Sequence, residues 1–341
     1  MERTLPTLNS STVDPSTLDP STLNTSTVDP STLHRLLDAE LDYSPQATGY
    51  FINHLAMALV AAHRLGADDA ELEGWYRAQA NDGYLVARER PEWLESDAAQ
   101  IAERGIEATL SERLPALIGA PSAQFFHAII RLELAVDAGH PGQVANALRN
   151  WTEVNTPIAA MPAGQGSASF ADVLALIVTD AQDLSGAATD LGRVAGVPRF
   201  AQALDQLRVH DGLLDEVATA VIAHHTEPGD FGTLHLVTGT RAARSLVGFL
   251  DRPSADELAL RTAQAVAAAL ASFGRLTGQP DLASADRPET STTPSSWDEI
   301  SLRASTSRDA HAAKLVYACR LEEAATGDPT YRAIAARQVG L

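Results

Sequence analysis

From about residue 34 almost to the C-terminus, the apolar residues of this chain recur at helical spacing, and nowhere do they settle into a sustained alternation. That pattern restricts the fold more than any other feature, because a 3.6-residue period cannot be laid onto a pleated strand. Phe51, Ile52, Leu55, Leu59 and Ala62 form one such stripe; Gly66 closes it and Asp68-Asp69 opens the next helix. Comparable stripes run over about 97–118, 121–138, 141–151, 170–184, 199–224, 229–250, 254–277 and 308–325. Aromatic residues make up 5% of the chain and alanine is abundant, so strand signals are scarce. The expectation is an all-α fold over residues 34–341, a single irregular multi-helix bundle or array with short turns such as Gly139-His140-Pro141-Gly142. Two stretches rich in Pro, Gly, Ser and Thr, 152–168 and 279–307, are expected to be long loops, and the second leads into His311 as a candidate lid.

Ahead of the helical region, residues 11–33 repeat a Ser-Thr-Leu/Val-Asp-Pro unit. The repeat is too short to bury a solenoid face, so residues 1–33 are expected to be a disordered low-complexity tail. Lys and Arg together number 25 against 44 Asp and Glu, and no basic cluster interrupts the net charge of −19. Nucleic acid and anionic membranes are therefore not expected partners. A single cysteine, Cys319, excludes an intrachain disulfide framework. With no apolar leader in Met1–Ser10 and no stretch long enough to span a bilayer, the expected location is the cytoplasm.

Standard helical chemistries are missing. Paired Glu-x-x-His motifs of a di-iron bundle do not occur, nor do His-Glu-x-x-His, Gly-x-Ser-x-Gly or a phosphate-binding loop. Gly164-Gln165-Gly166 lies in a Ser/Ala loop without a preceding strand, and His225-Thr226-Glu227 lacks the β-barrel on which a facial triad is built. One residue is exceptional. Lys314 is the only lysine in a chain with 24 arginines, and on a helix its neighbours three and four residues away are Ala310, His311, Tyr317 and Ala318. No acidic partner is offered there. It reads either as a side chain snorkelling from a helix face or as a buried amine that loses its proton and becomes a nucleophile or, with carbon dioxide, a carbamate.

Four histidines share the apolar setting of Lys314. His54 lies in Asn53-His54-Leu55-Ala56-Met57-Ala58-Leu59, His127 in Phe126-His127-Ala128-Ile129-Ile130-Arg131-Leu132, His235 in Leu234-His235-Leu236-Val237-Thr238-Gly239, and His311 one turn before Lys314. Taken singly, each reads as a core histidine hydrogen-bonded to a carbonyl. Together with a lysine they are costly to bury unless they satisfy one another, and a shared metal is the simplest way. His34, His63, His140 and His210 fall near charges or turns, and His224 and His225 close a helix.

These four segments, in this order, resemble the questin oxidase-like family, with coverage from about residue 45 to 335. The resemblance implies a mononuclear non-haem iron held by four histidines and a carboxylated lysine, roles that fall on His54, His127, His235, His311 and Lys314. It also implies opening of an anthraquinone ring with O2 as cosubstrate, on a small aromatic of secondary metabolism. Two positions depart from the pattern: Ala56 replaces an expected proline, and Arg241 an expected second histidine. Four neutral imidazoles would leave iron(II) its full charge, and a carbamate on Lys314 would supply the missing anionic oxygen. Glu133 and Asp137, beyond His127, are candidates for an acid–base pair as much as for solvated side chains. Two other readings stay open: a metal-free, NADPH-dependent Baeyer–Villiger-type oxidase, and a non-catalytic helical ligand-binding protein whose histidines only pack.

Overall fold

Helical periodicity becomes helix almost wherever it was read. The computed structural model describes residues 30–158, 162–178, 194, 197–274, 276 and 295–341, and among them holds fifteen α-helices and one two-stranded sheet. The helices are α1 (Pro30–Glu40), α2 (Leu55–Arg64), α3 (Asp69–Asn81), α4 (Glu92–Arg104), α5 (Ile106–Arg113), α6 (His127–Asp137), α7 (Pro141–Val154) and α8 (Phe170–Val178). There follow α9 (Pro198–Asp205), α10 (Leu213–His224), α11 (Phe231–Leu246), α12 (Arg252–Ser272), α13 (Trp297–Thr306), α14 (Ala310–Thr326) and α15 (Thr330–Gln338). The strands β1 (Tyr43–Ala47) and β2 (Leu85–Ala87) pair antiparallel with an irregularity between Tyr43↔Ala87 and Ala47↔Leu85. No helix of the described residues is long and apolar enough to cross a membrane.

Several sequence-based boundaries move. Residues 1–29 of the expected tail lie outside the described residues, while residues 30–33 form the first turn of α1, where burial of Leu33, Leu36 and Leu37 supplies a reason to be helical. The stripe at 97–118 breaks at Gly105, whose φ of 88° ends α4 and starts α5. The stripe at 199–224 is interrupted between α9 and α10. The expected loop 279–307 is corrected in its second part: Ser296 accepts a hydrogen bond from the Glu299 N–H, and Ile300 and Ala304 bury one face of α13. Its polar composition concealed that spacing; residues 279–294 lie outside the described residues. In the loop expected at 152–168, residues 152–154 belong to α7, residues 159–161 are outside the described residues, and bridges Gln165↔Arg208 and Ala168↔Leu207 tie the rest to the segment after α9.

The centre of the molecule is a closed ring of four helices. α2 packs on α6 and α14, and α11 packs on the same two. Alanine and glycine allow that closeness: a Cβ added at Gly239 would meet Phe126 Cδ1 at 2.6 Å. The remaining helices wrap this ring, and one continuous hydrophobic core runs from Leu33 to Ala336.

Candidate metal centre

Each of the four helices of the ring begins at the same place, and each brings one histidine there. His54 stands at the N-cap position of α2, and the cap itself comes from the Asn53 side chain directly before it, which accepts from the Leu55 N–H at 2.9 Å. His127 is the first residue of α6, His235 the fifth of α11, and His311 the second of α14. Asp309 caps α14 by accepting from the N–H groups of His311 at 2.9 Å and Ala312 at 3.2 Å, which orients the turn carrying both His311 and Lys314.

His127 is placed by an unusual device. Gln124, Phe125 and Phe126 all have positive φ, at 51°, 56° and 66°, a left-handed turn of three non-glycine residues. Such a turn costs roughly 1–2 kcal/mol per residue, and strain of this kind persists where the surroundings over-determine it. Here Phe126 is fully buried against Gly239, and Phe125 packs edge-on to His235 and Phe273. The turn leaves the Gln124 carbonyl 2.6 Å from His127 Nδ1. Helical periodicity over 121–138 therefore overstated α6 by a turn and a half at its start.

The imidazoles meet closely. His54 Nε2 and His127 Nε2 are 2.8 Å apart, and ring centroids are separated by 4.6 Å for His54–His311, 4.4 Å for His127–His235 and 5.3 Å for His235–His311. His54, His235 and His311 each offer one nitrogen, all within 4.8 Å of one another, a group that could hold a metal ion. Because a carbonyl only accepts, His127 Nδ1 must donate to Gln124 and His235 Nδ1 must donate to the Phe231 carbonyl at 2.5 Å. Their Nε2 atoms then carry lone pairs, and that of His235 is buried without a partner among the described residues. Lys314 Nζ, also buried, has none among them either. Two nitrogens bound at right angles to one ion at about 2.1 Å lie about 3 Å apart, so the observed spacing and the orphaned atoms fit a shared metal.

Electrostatics keeps the cluster neutral. Burial pushes His54, His127 and His235 well below the usual histidine range, with the charge of Lys314 adding to the effect at His54 and His127, and His127 adding to it at His235. His311 falls to about 4, through burial first and Lys314 second. Lys314 is pushed down to about 7 by burial and then by the Arg131 guanidinium. The positive ends of four helix dipoles act in the same direction and favour an anion among the ligands.

Glu133 and Asp137 are not part of the histidine cluster. Glu133 lines, with Lys314, Arg241, Thr238 and Tyr317, a small cavity of about 10 Å³, space for one water. Burial and then Asp137 raise its carboxyl to about 7. Asp137 accepts from Arg64 Nε at 2.9 Å and from the Tyr317 hydroxyl at 3.1 Å. Arg241, where the resemblance implies histidine, lines that same cavity and pairs with Glu322 at 3.4 Å. Ala56 sits buried in the first turn of α2, a position where proline is equally compatible with a helix. His224 Nδ1 donates to the Ala220 carbonyl at 2.7 Å as expected for a helix end, whereas His225 Nδ1 is bonded to Thr233 Oγ1 at 2.7 Å.

Three participants were not singled out from the sequence. Asp309 was legible as an N-cap before an apolar run, and Phe231, 56% exposed with its ring 4.8 Å from that of His311, as an aromatic four residues ahead of His235. Arg131, almost completely buried, carried only the signal of a charge inside Ile-Ile-Arg-Leu.

A sequence profile described as Questin oxidase-like matches residues 92–319, well over half of the chain. The matched region includes His127, His235, His311 and Lys314, and His54 lies ahead of it. No curated protein matches the chain.

Proposed function

The chain belongs to the questin oxidase-like family, and on that premise we propose that it is an iron(II)- and O2-dependent oxygenase cleaving a ring carbon–carbon bond of a hydroxylated polycyclic aromatic of the anthraquinone type. The observation that carries this reading is the convergence of four neutral imidazoles and one orphaned amine at the starts of four helices. His54, His127, His235, His311 and Lys314 would hold the ion. Iron(II) held there would supply electrons to dioxygen, which otherwise reacts slowly with closed-shell aromatics.

The chain's own residues do the rest. With its pKa near 7, Lys314 is partly the free amine at neutral pH. In that form its nitrogen attacks carbon dioxide: the N–C bond forms, one C=O electron pair moves to oxygen, and the nitrogen proton leaves. Glu133, which lines the same cavity and is itself poised near 7, is the group placed to take that proton. The resulting carbamate gives the cluster the anionic ligand that the four helix ends favour. Phe231 and Phe125 flank His311 and His235 and offer ring edges to a flat substrate. His54 and His311, the two imidazoles that are only partly buried, form the side from which such a substrate would approach.

The test is metal analysis of protein purified without oxygen, followed by oxygen uptake with a hydroxylated anthraquinone. Near-stoichiometric iron is expected, with loss of both metal and turnover, by more than about 100-fold, in Lys314→Arg while the helical circular dichroism is kept. An active Lys314→Arg enzyme would remove the lysine from its role. Turnover that survives rigorous chelation and needs NADPH would replace the reading with a metal-free oxidation. Labelled O2 separates insertion of one oxygen from incorporation of both.

A further inference from the structure

Beside the histidine cluster lies a second buried polar network. Glu40, Asn53, Arg131 and Gln143 are each at most 1% exposed. Glu40 Oε1 accepts from Asn53 Nδ2 at 2.7 Å, and its Oε2 accepts from Gln143 Nε2 at 2.8 Å. The Arg131 Nη2 donates to the carbonyls of Asn53 at 2.6 Å and Pro45 at 3.3 Å, with Glu40 at 4.0 Å from its Nη1.

Replacing a buried charged group by apolar side chains of similar volume is often neutral or stabilising, so stability alone is a weak reason for this arrangement. Its connectivity supplies a better one. Arg131 stands four residues after His127 on α6, one turn along. The carbonyl it grips most tightly belongs to the peptide bond leading into His54. The guanidinium thus joins the helix carrying one imidazole to the backbone carrying its partner, and Asn53 extends the grip by capping α2. It adds a polar tie between the two histidine-bearing backbones to the direct packing of α2 on α6 and to the bond from His127 Nδ1 to the Gln124 carbonyl.

We propose that Arg131, anchored by Glu40 and Asn53, is a positioning residue that fixes His54 against His127 and so sets the geometry of the metal centre. The proposal rests on the metal-binding reading, and two measurements keep their failures apart. In metal-free protein labelled with ¹⁵N at histidine, Arg131→Met shifts the ring resonances of His54 and His127 and leaves those of His224 and His225 in place. Titrated with cobalt(II), the same variant binds at least about ten-fold more weakly, with a ligand-field spectrum matching that of His54→Ala. Arg131→Lys, which keeps the charge but reaches one carbonyl at a time, falls between wild type and Arg131→Met.

A folded Arg131→Met protein with wild-type histidine resonances and cobalt affinity would overturn the proposal. Should that variant not fold, Glu40→Gln removes the anchoring charge at constant size; unchanged His54 and His127 resonances there count equally against it. A wild-type chain that binds no cobalt would end the metal reading, and the histidine resonances of the metal-free protein would still decide the positioning role.

Discussion

Lys314 shows what one residue contributes through its surroundings. An arginine in its place would stay charged whatever its burial, whereas the lysine amine is brought to about 7 by desolvation and by Arg131. Glu133, across the small cavity, is shifted to a similar value from the other side. This gives a stability prediction with a definite sign. The folded chain holds the Glu133 proton up to about 7, while the unfolded chain releases it near the ordinary carboxyl value of 4.5. Stability is therefore fully present below the unfolded value and declines as pH rises through the window between them. Glu133→Gln removes the decline, so in urea melts the variant gains on wild type by up to about 3 kcal/mol between acid and pH 8. A difference constant across that range would contradict the assigned burial of the charge. Phe231 makes a second case, since its half-exposed ring edges onto His311. Phe231→Ala is expected to raise KM several-fold with kcat little changed, by loss of uniform binding to a flat substrate. The four histidines were legible because imidazoles stand out among Leu, Ala and Ile. Arg131 was not, because a sequence shows that a charge falls in an apolar run and does not show which carbonyl receives it.

Among the elements, the starts of helices matter more than their bodies. Asp309 satisfies the first N–H groups of α14 and holds the turn that presents His311 and Lys314. Asp309→Ala should cost about 1 kcal/mol in stability, read as a lower melting temperature, and weaken the proposed metal binding by freeing that turn. At the start of α6 the left-handed residues Gln124 to Phe126 are kept in place by Phe126 lying against Gly239. A methyl at Gly239 would stand 2.6 Å from the ring, so Gly239→Ala is expected to cost about 1–3 kcal/mol and to displace His127. Wild-type stability and metal affinity in that variant would show that the turn is not held by this contact. Helical spacing foretold α6 in outline. It could not foretell the turn, because Gln, Phe and Phe have no preference for left-handed backbone and are forced into it by packing.

On the scale of the whole molecule, the ring of α2, α6, α11 and α14 draws together residues 54, 127, 235 and 311, which no local rule connects. The chain also carries a net charge of −19, whose self-repulsion is expected to destabilise the folded form at low ionic strength. Raising salt from about 20 mM to about 150 mM should therefore raise the melting temperature, and a falling value would point to ion pairs outweighing the repulsion. The sequence by itself determined that the fold is helical, because periodicity and the scarcity of strand formers act locally along the chain. It also marked which histidines and which lysine stand in apolar surroundings. Only the tertiary structure decided that the four imidazoles come into contact with one another near the starts of four helices. It also decided that Arg241 pairs with Glu322 and that a buried guanidinium grips the backbone before His54. Those outcomes follow from which helices pack side by side, and packing partners distant in sequence are chosen by shape and burial rather than by spacing.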